Sequence, residues 1–149
     1  MSLPLRVSLR PACQSDLPFA RSIYLETMRW IIERLFSWDE QRENEKFTAQ
    51  FNVAGSKIIV VNGQDVGWLQ TQVGQDALWL QSLYVMPSMQ RRGIGTEVLR
   101  LLMERAHSER KALTLGVVKI NPALQFYERH GFKITHQDEY KFYMRLDQE

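Results

Sequence analysis

The residues best suited to chemistry lie in a loop with two glycines and two arginines, Gln90-Arg91-Arg92-Gly93-Ile94-Gly95. A predicted strand ends before this loop, and a predicted amphipathic helix begins within it. The first amides of a helix lack intrahelical partners and lie at the positive end of its dipole, so they bind anions. Glycines let an oxygen approach the backbone closely, and the arginines add positive charge. Residues 90–96 therefore predict a seat for a diphosphate or a similar anion.

Two other phosphate-binding motifs do not fit this loop. A P-loop requires a lysine after its last glycine, whereas Thr96 follows Gly95. The dinucleotide fingerprint requires a third small residue where Val98 stands, and it normally opens the first strand–helix unit of a long parallel sheet. The remaining pattern, Q/R-x-x-G-x-G/A, is matched by Gln90, Gly93 and Gly95.

The elements that must position the loop are predicted from apolar periodicity and turn signals. Asn62-Gly63 is a strong two-residue hairpin signal. The predicted strands are 6–10, 57–61, 66–73, 77–85, 113–118, 133–136 and 140–146. The predicted helices comprise one that begins at Ser15 or Asp16, a second region from Met28 that continues past Asp39 towards Phe51, one from Ile94 to near Lys111, and one that begins at Asn121-Pro122 and stops at Gly131. This order indicates a mixed α/β (α+β) sandwich with one parallel strand–helix–strand unit.

Composition predicts a single domain, residues 1–149, in the cytoplasm. The chain is 44% hydrophobic, which is too apolar for disorder, and its net charge of +2 comes with no basic stripe that would indicate nucleic acid. No apolar run is long enough for a signal peptide or a membrane span. Cys13 is the only cysteine, and no Cys/His spacing indicates zinc, so we expect no disulfide and no metal.

A second motif follows the loop after one strand, Asn121-Pro122-Ala123-Leu124-Gln125-Phe126-Tyr127-Glu128-Arg129-His130-Gly131-Phe132. Together with the loop and the opening Leu9-Arg10-Pro11-Ala12, it resembles the GNAT superfamily of acetyl-CoA-dependent N-acetyltransferases. The resemblance extends from Val7 to about Leu146 and leaves the subfamily open. It implies a GNAT-type twisted, mostly antiparallel sheet with a splayed central parallel strand pair and about four flanking helices.

The resemblance also implies where the co-substrate acetyl-CoA binds. The pantetheine arm would lie between the strands 77–85 and 113–118, bonded by the backbone at Leu83, Tyr84 and Val85. The diphosphate would be held by Gln90, Arg91, Arg92, Gly93, Ile94, Gly95 and Thr96. Asn121 would reach the pantetheine, and Phe126 belongs to the helix that would flank the adenine end. Tyr127 corresponds to the tyrosine that protonates the departing thiolate.

Two features depart from the family pattern. Asn121 and Tyr127 are separated by one position fewer than in the commoner pattern, and Tyr127 is the better aligned because Gly131 and Phe132 follow it at the usual spacing. Many relatives carry a glutamate as general base on the strand before the loop, where this chain has no carboxylate after Asp76. The base could be a water held by Gln81 or Ser82, a residue of the acceptor side, or absent.

The acceptor side is predicted from aromatic and polar residues of the early helices and central strands. The candidate substrate-binding residues are Trp30, Trp38, Trp68, Gln70 and Gln81. With the acids Asp39, Glu40, Glu43 and Glu45 they suggest an aromatic-walled pocket with an acidic rim, suited to a cationic amine. The alternative is core aromatics beside a solvated helix face, which we favour for the acids because Arg34, Arg42 and Lys46 are interleaved with them.

The function predicted from these features is transfer of an acetyl group from acetyl-CoA to a primary amine of a small molecule by direct attack. The alternatives are acetylation of a protein amino group, a coenzyme A-binding sensor without turnover, and transfer of an acyl group larger than acetyl. We expect a monomer or a homodimer that binds neither nucleic acid nor membrane.

Overall fold

A computed structural model describes residues 5–148 of the chain. Within that range the chain forms seven strands and four α-helices, in the order predicted from the sequence. Their bounds are β1 Val7–Pro11, α1 Leu17–Leu35, α2 Glu40–Gln50, β2 Ser56–Val61, β3 Gln64–Val73, β4 Ala77–Val85, α3 Ile94–Ser108, β5 Ala112–Val118, α4 Ala123–Arg129, β6 Lys133–Gln137 and β7 Lys141–Leu146. Short 3₁₀ turns at Gln14–Asp16 and Pro87–Met89 precede α1 and α3.

The seven strands form one mixed sheet in the order β1-β2-β3-β4-β5-β7-β6. β4 and β5 run parallel, with register from Ala77↔Ala112 to Leu80↔Leu115, whereas β1–β2, β2–β3, β5–β7 and β6–β7 are antiparallel. The parallel pair is joined through α3, which confirms the predicted strand–helix–strand unit. The predicted splay of the pair stays a prediction.

The hairpin between β2 and β3 confirms the Asn62-Gly63 signal. Both residues have positive φ angles, 50° and 83°, as a type I′ turn requires. The Asn62 side chain also accepts a hydrogen bond from the backbone N–H of Arg6 at 2.9 Å. The turn therefore fixes the register of two strands and is linked to the residue before β1.

The early helices differ from the prediction. α1 is continuous from Leu17 to Leu35, since no glycine or proline interrupts it after Pro18. The helical region predicted to continue past Asp39 is instead broken, because Phe36 is extended and α2 begins only at Glu40. Asp39 is the N-cap of α2, and its carboxylate accepts a hydrogen bond from the backbone N–H of Arg42 at 3.1 Å. The capping aspartate thus marks a helix boundary that apolar periodicity alone did not reveal.

Residue contacts group the chain into two compact units. Among the described residues, one comprises the chain up to Gln70 together with Ser82–Leu99, and the other comprises Thr71–Gln81 with the chain from Arg100. The first unit has a core of Ala12, Ala20, Phe47, Ile58 and Trp68. The second has a core that includes Leu78, Leu80, Leu113, Leu115 and Met144. The single-domain assignment of residues 1–149 stays a prediction.

Candidate active site

The loop between β4 and α3 has a backbone conformation that suits the anion-binding site predicted from the sequence. Arg91 and Gly93 have φ angles of 63° and 79°, so the chain turns sharply before α3 begins at Ile94. The Gln90 side chain donates a hydrogen bond from Nε2 to the carbonyl oxygen of Val85 at 2.9 Å. This bond links the loop to the last residue of β4, so the strand sets the position of the loop.

The first turn of α3 presents its amides at the loop. The backbone N–H of Glu97 donates to the carbonyl of Gly93 at 3.1 Å, so the first helical hydrogen bond closes on Gly93. The preceding amides, Ile94 to Thr96, have no intrahelical carbonyl to bond. Arg91, Arg92, Gly93 and Thr96 are exposed, whereas Ile94 is buried and anchors the turn. The geometry therefore exposes unpaired N–H groups beside two cations, which suits a phosphate.

The end of β4 is held against β3 by a close backbone approach. A Cβ at Gly67 would lie 2.5 Å from the carbonyl oxygen of Tyr84, so only glycine permits this packing. Leu83, Tyr84 and Val85 are all half-buried. The Tyr84 ring stacks on Trp68 with centroids 6.0 Å apart, and burial raises the pKa of Tyr84 to about 12. Tyr84 is therefore neutral at physiological pH.

The residues predicted for catalysis and pantetheine binding lie at and near α4, in the second unit. Tyr127 is 8% exposed, and its ring contacts Phe126 and Phe132 with centroids 5.4 and 5.6 Å apart. Phe126 is half-buried and also packs on the His130 ring. The Asn121 side chain accepts a hydrogen bond from the backbone N–H of Ala123 at 2.9 Å. Its Oδ1 thus caps α4, and only its Nδ2 can donate to a ligand.

Two predicted substrate-binding residues, Trp68 and Gln70, are buried in the first unit. Trp68 donates from Nε1 to Ser56 Oγ at 3.1 Å. Gln70 accepts from Ser56 Oγ at 3.0 Å and from the backbone N–H of Asn52 at 2.9 Å, and it donates to the carbonyl of Gln50 at 3.0 Å. These bonds join the end of α2 to β2 and β3, so both side chains support the packing of the helix on the sheet.

The other predicted substrate-binding residues are more accessible. Trp30 on α1 is 43% exposed. Trp38 is half-buried in the connection between α1 and α2, where the Arg29 guanidinium lies 4.9 Å from its ring centroid. Gln81 is exposed on β4. Their assignment to an acceptor pocket stays a prediction.

Glu43 corrects the favoured interpretation of the acids as a solvated helix face. Glu40 and Glu45 are exposed, but Glu43 is only 4% exposed and accepts a hydrogen bond from the Tyr24 hydroxyl at 3.1 Å. Burial, followed by the Glu43 charge, raises the pKa of Tyr24. The signal available in the sequence was the spacing, since Glu43 and Phe47 are four residues apart and share one face of α2.

Within residues 5–148, no group of three or more His, Cys, Asp or Glu side chains is arranged to hold a metal ion. Over the same residues, no helix has the length and apolar character needed to cross a bilayer.

Comparisons with known proteins point to one family. Residues 54–134, which include the loop and α4, match the family described as acetyltransferase (GNAT) domain. The fold is similar to that of PaiA N-acetyltransferase from Thermoplasma acidophilum in complex with coenzyme A, with a TM-score of 0.79 and 16% identity over 96% of this chain and 99% of that one. It is similar to ribosomal-protein-S18-alanine N-acetyltransferase from Escherichia coli, with a TM-score of 0.74 and 22% identity over 97% and 96% of the chains. It is also similar to Arabidopsis thaliana Naa50 in complex with the bisubstrate analogue CoA-Ac-MVNAL, with a TM-score of 0.66 and 17% identity over 95% and 99%.

Proposed function

Because the chain belongs to the GNAT acetyltransferase family, we propose that it transfers an acetyl group from acetyl-CoA to a primary amine of a small molecule. The observation that carries the proposal is the loop at residues 90–96. It combines a glycine with positive φ, unpaired amides of the first turn of α3 and two exposed arginines. Such a loop is complementary to a diphosphate, which acetyl-CoA provides.

The diphosphate is held by the backbone more than by side chains. The amides of Ile94, Gly95 and Thr96 donate to its oxygens, and Arg91 and Arg92 add charge from the side. Among the described residues other than its chain neighbours, none has an atom within 4 Å of the position that a Cβ would take at Gly93, so this face is open to a ligand. The fixed link from Gln90 to Val85 holds the loop at the end of β4.

The pantetheine arm is placed along the end of β4 by analogy with an added strand. Backbone groups of Leu83 and Val85 bond its amides, and Asn121 donates from Nδ2. The helix that carries Phe126 flanks the adenine end. These roles rest on the family resemblance of the residues, and the half-buried backbone from Leu83 to Val85 is compatible with them.

The chemical step requires a neutral amine, although free alkyl amines have a pKa near 10. The amine nitrogen attacks the thioester carbonyl, a C–N bond forms, and a backbone N–H near Val85 stabilises the oxyanion. The C–S bond then breaks, and the phenol of Tyr127 donates its proton to the departing thiolate. The nitrogen releases its extra proton to solvent water, and Tyr127 is reprotonated from solvent. Much of the rate enhancement comes from holding the two reactants together.

Acetylation of a protein amino group is the second candidate. Two proteins of similar fold are named for, or bound to an analogue of, a protein or peptide substrate. The acceptor panel below separates the two candidates. A coenzyme A-binding sensor is the remaining alternative.

The first test is calorimetric titration of the purified protein with acetyl-CoA. We expect saturable binding by the wild type and none by Gly93→Glu, because the new carboxylate would occupy the diphosphate seat. Gly63→Glu is the matched control, since Gly63 also has a positive φ and open space around it but lies in the β2–β3 hairpin. Equal binding by Gly93→Glu and Gly63→Glu would contradict the placement of the diphosphate.

The second test measures release of free thiol from acetyl-CoA with a panel of amines and of peptides with free amino termini. Turnover with small amines supports the proposal, and turnover with peptides alone supports the second candidate. Binding of acetyl-CoA without thiol release for any acceptor supports the sensor.

A further inference from the structure

Glu43 is the only Asp, Glu, Lys, Arg or His side chain that is buried within residues 5–148. The other buried polar residues, Ser56, Gln70 and Thr71, are uncharged. Burying a carboxylate is unfavourable unless its charge and its lone pairs are matched. The burial of this carboxylate therefore suggests that Glu43 has a function. The reaction proposed above gives Glu43 no role.

The partners of Glu43 use only part of the hydrogen-bonding capacity of its carboxylate. The Tyr24 hydroxyl donates to Oε1 at 3.1 Å, and Arg42 Nε lies 3.4 Å from Oε2, which is long for a hydrogen bond. An ionised carboxylate offers about four acceptor positions. The Arg42 side chain is 49% exposed and that of Glu43 only 5%, so Arg42 covers the carboxylate from the solvent side. A cation arriving from solvent would reach Glu43 by replacing Arg42.

Aromatic rings surround the Tyr24–Glu43 pair. The Tyr24 ring lies 5.3 Å from Phe47 and 5.9 Å from Tyr84, and Phe47 lies 5.1 Å from Trp68, measured between centroids. Ring faces attract cations, and both tyrosines are neutral because burial raises their pKa values. The surroundings thus favour a positive charge and supply no competing negative charge.

Two more acceptor atoms lie unused on the same two helices. Thr27 Oγ1 and Asn44 Oδ1 are buried and have no hydrogen-bond partner in the described structure. Thr27 follows Tyr24 by three residues and shares its face of α1, Asn44 follows Glu43 on α2, and the two helices pack together. An alkylammonium group carries three donors and no acceptor. The two helices therefore carry a carboxylate, a hydroxyl oxygen and an amide oxygen that can accept hydrogen bonds from such a group.

We propose that Glu43 and Tyr24 form the recognition site for an alkylammonium group of the acceptor, distinct from the neutral amine that is acetylated. The inference rests on the proposed acetyl transfer and deepens it, since it names the chemical class of the acceptor. The ammonium takes the place of Arg42 at Oε2 and lies against the rings beside Tyr24. Tyr84 belongs to the segment Leu83–Val85, and its ring contacts that of Tyr24. It therefore connects the recognition site to the part of β4 that is proposed to bind pantetheine.

The test compares Glu43→Gln with the wild type in acetyl transfer to 1,4-diaminobutane, whose second nitrogen stays an ammonium while the first reacts, and to butylamine, which has no second nitrogen. We expect KM for 1,4-diaminobutane to rise at least about tenfold, since one partner of a buried charge pair is lost, and KM for butylamine to change less. We expect unchanged kcat and acetyl-CoA affinity. Glu40→Gln is the matched control, because it removes the same charge from the same turn of α2 at an exposed position.

Arg42→Gln distinguishes recognition from a structural role. If Arg42 only covers the carboxylate until an acceptor arrives, its removal lowers KM for the ammonium acceptor. If the Arg42–Glu43 pair only stabilises the fold, both substitutions lower the melting temperature and leave KM unchanged. A fall in KM for Arg42→Gln and a rise for Glu43→Gln is the expected pattern.

Titration of butylammonium and of butanol into the protein gives an answer that does not require turnover. We expect binding of the cation by the wild type, at least about tenfold weaker binding by Glu43→Gln, and no binding of the neutral alcohol. Equal binding of the cation by both proteins, or none by the wild type, would overturn the recognition site even if acetyl-CoA binding and thiol release persist. Failure of the wild type to bind acetyl-CoA would instead contradict the proposed function.

Discussion

At the scale of single residues, the proposed reaction depends most on the phenol of Tyr127. Without a proton donor, the thiolate must leave as an anion, so Tyr127→Phe should lower kcat by a factor on the order of 10²–10⁴. Coenzyme A affinity should not change, because the substitution keeps the ring that packs on Phe126 and Phe132. Steady-state kinetics and calorimetric titration measure the two effects separately. Tyr140→Phe, which alters an exposed tyrosine before β7, is the control. Equal kcat for Tyr127→Phe and the wild type would remove Tyr127 from the mechanism.

At the scale of elements, Arg10 of β1 joins the start of α1 to β3. It donates to both oxygens of Asp16 at 2.9 and 3.0 Å and to Asp65 at 2.9 Å. The hydrogen bonds from Arg10, followed by those from Cys13, lower the pKa of Asp16 to about 2. Asp16 therefore stabilises the fold fully above its unfolded pKa near 4, and this stabilisation is lost as the pH falls towards 2. Because Arg10 is partly exposed, we expect a contribution of about 1–2 kcal/mol. The free energy of unfolding in urea, measured from pH 2 to 6, should fall less at low pH for Asp16→Asn than for the wild type. Asp147→Asn, whose carboxylate also pairs with an arginine but is 74% exposed, should behave as the wild type.

Features of the fold with local signals could be predicted from the sequence, whereas those that depend on packing between elements could not. The element order, the hairpin and the loop before α3 were predicted because their signals are local: turn residues, glycines and apolar periodicity. The break after Leu35 was missed because no glycine or proline marks it, and the only local signal is the Asp39 cap. The burial of Trp68 was one of two alternatives, whereas that of Gln70 was missed because β3 has six consecutive buried residues, from Val66 to Thr71, which alternation along a strand does not predict. The burial of Glu43 was missed because its spacing from Phe47 places both residues on one face of α2 but does not show that this face packs on α1.

At the scale of the whole molecule, three elements are shared between the two compact units. β3 is divided at Gln70, β4 at Gln81 and α3 at Leu99. Unfolding one unit alone would break a helix and two strands in their interiors, so we expect the chain to unfold in one cooperative transition, as a single domain does. Circular dichroism and tryptophan fluorescence should give the same midpoint, and the calorimetric and van't Hoff enthalpies should agree. Acetyl-CoA at a hundred times its Kd should raise the stability by about 2.7 kcal/mol without splitting the transition. Two separate midpoints would show that the units fold independently.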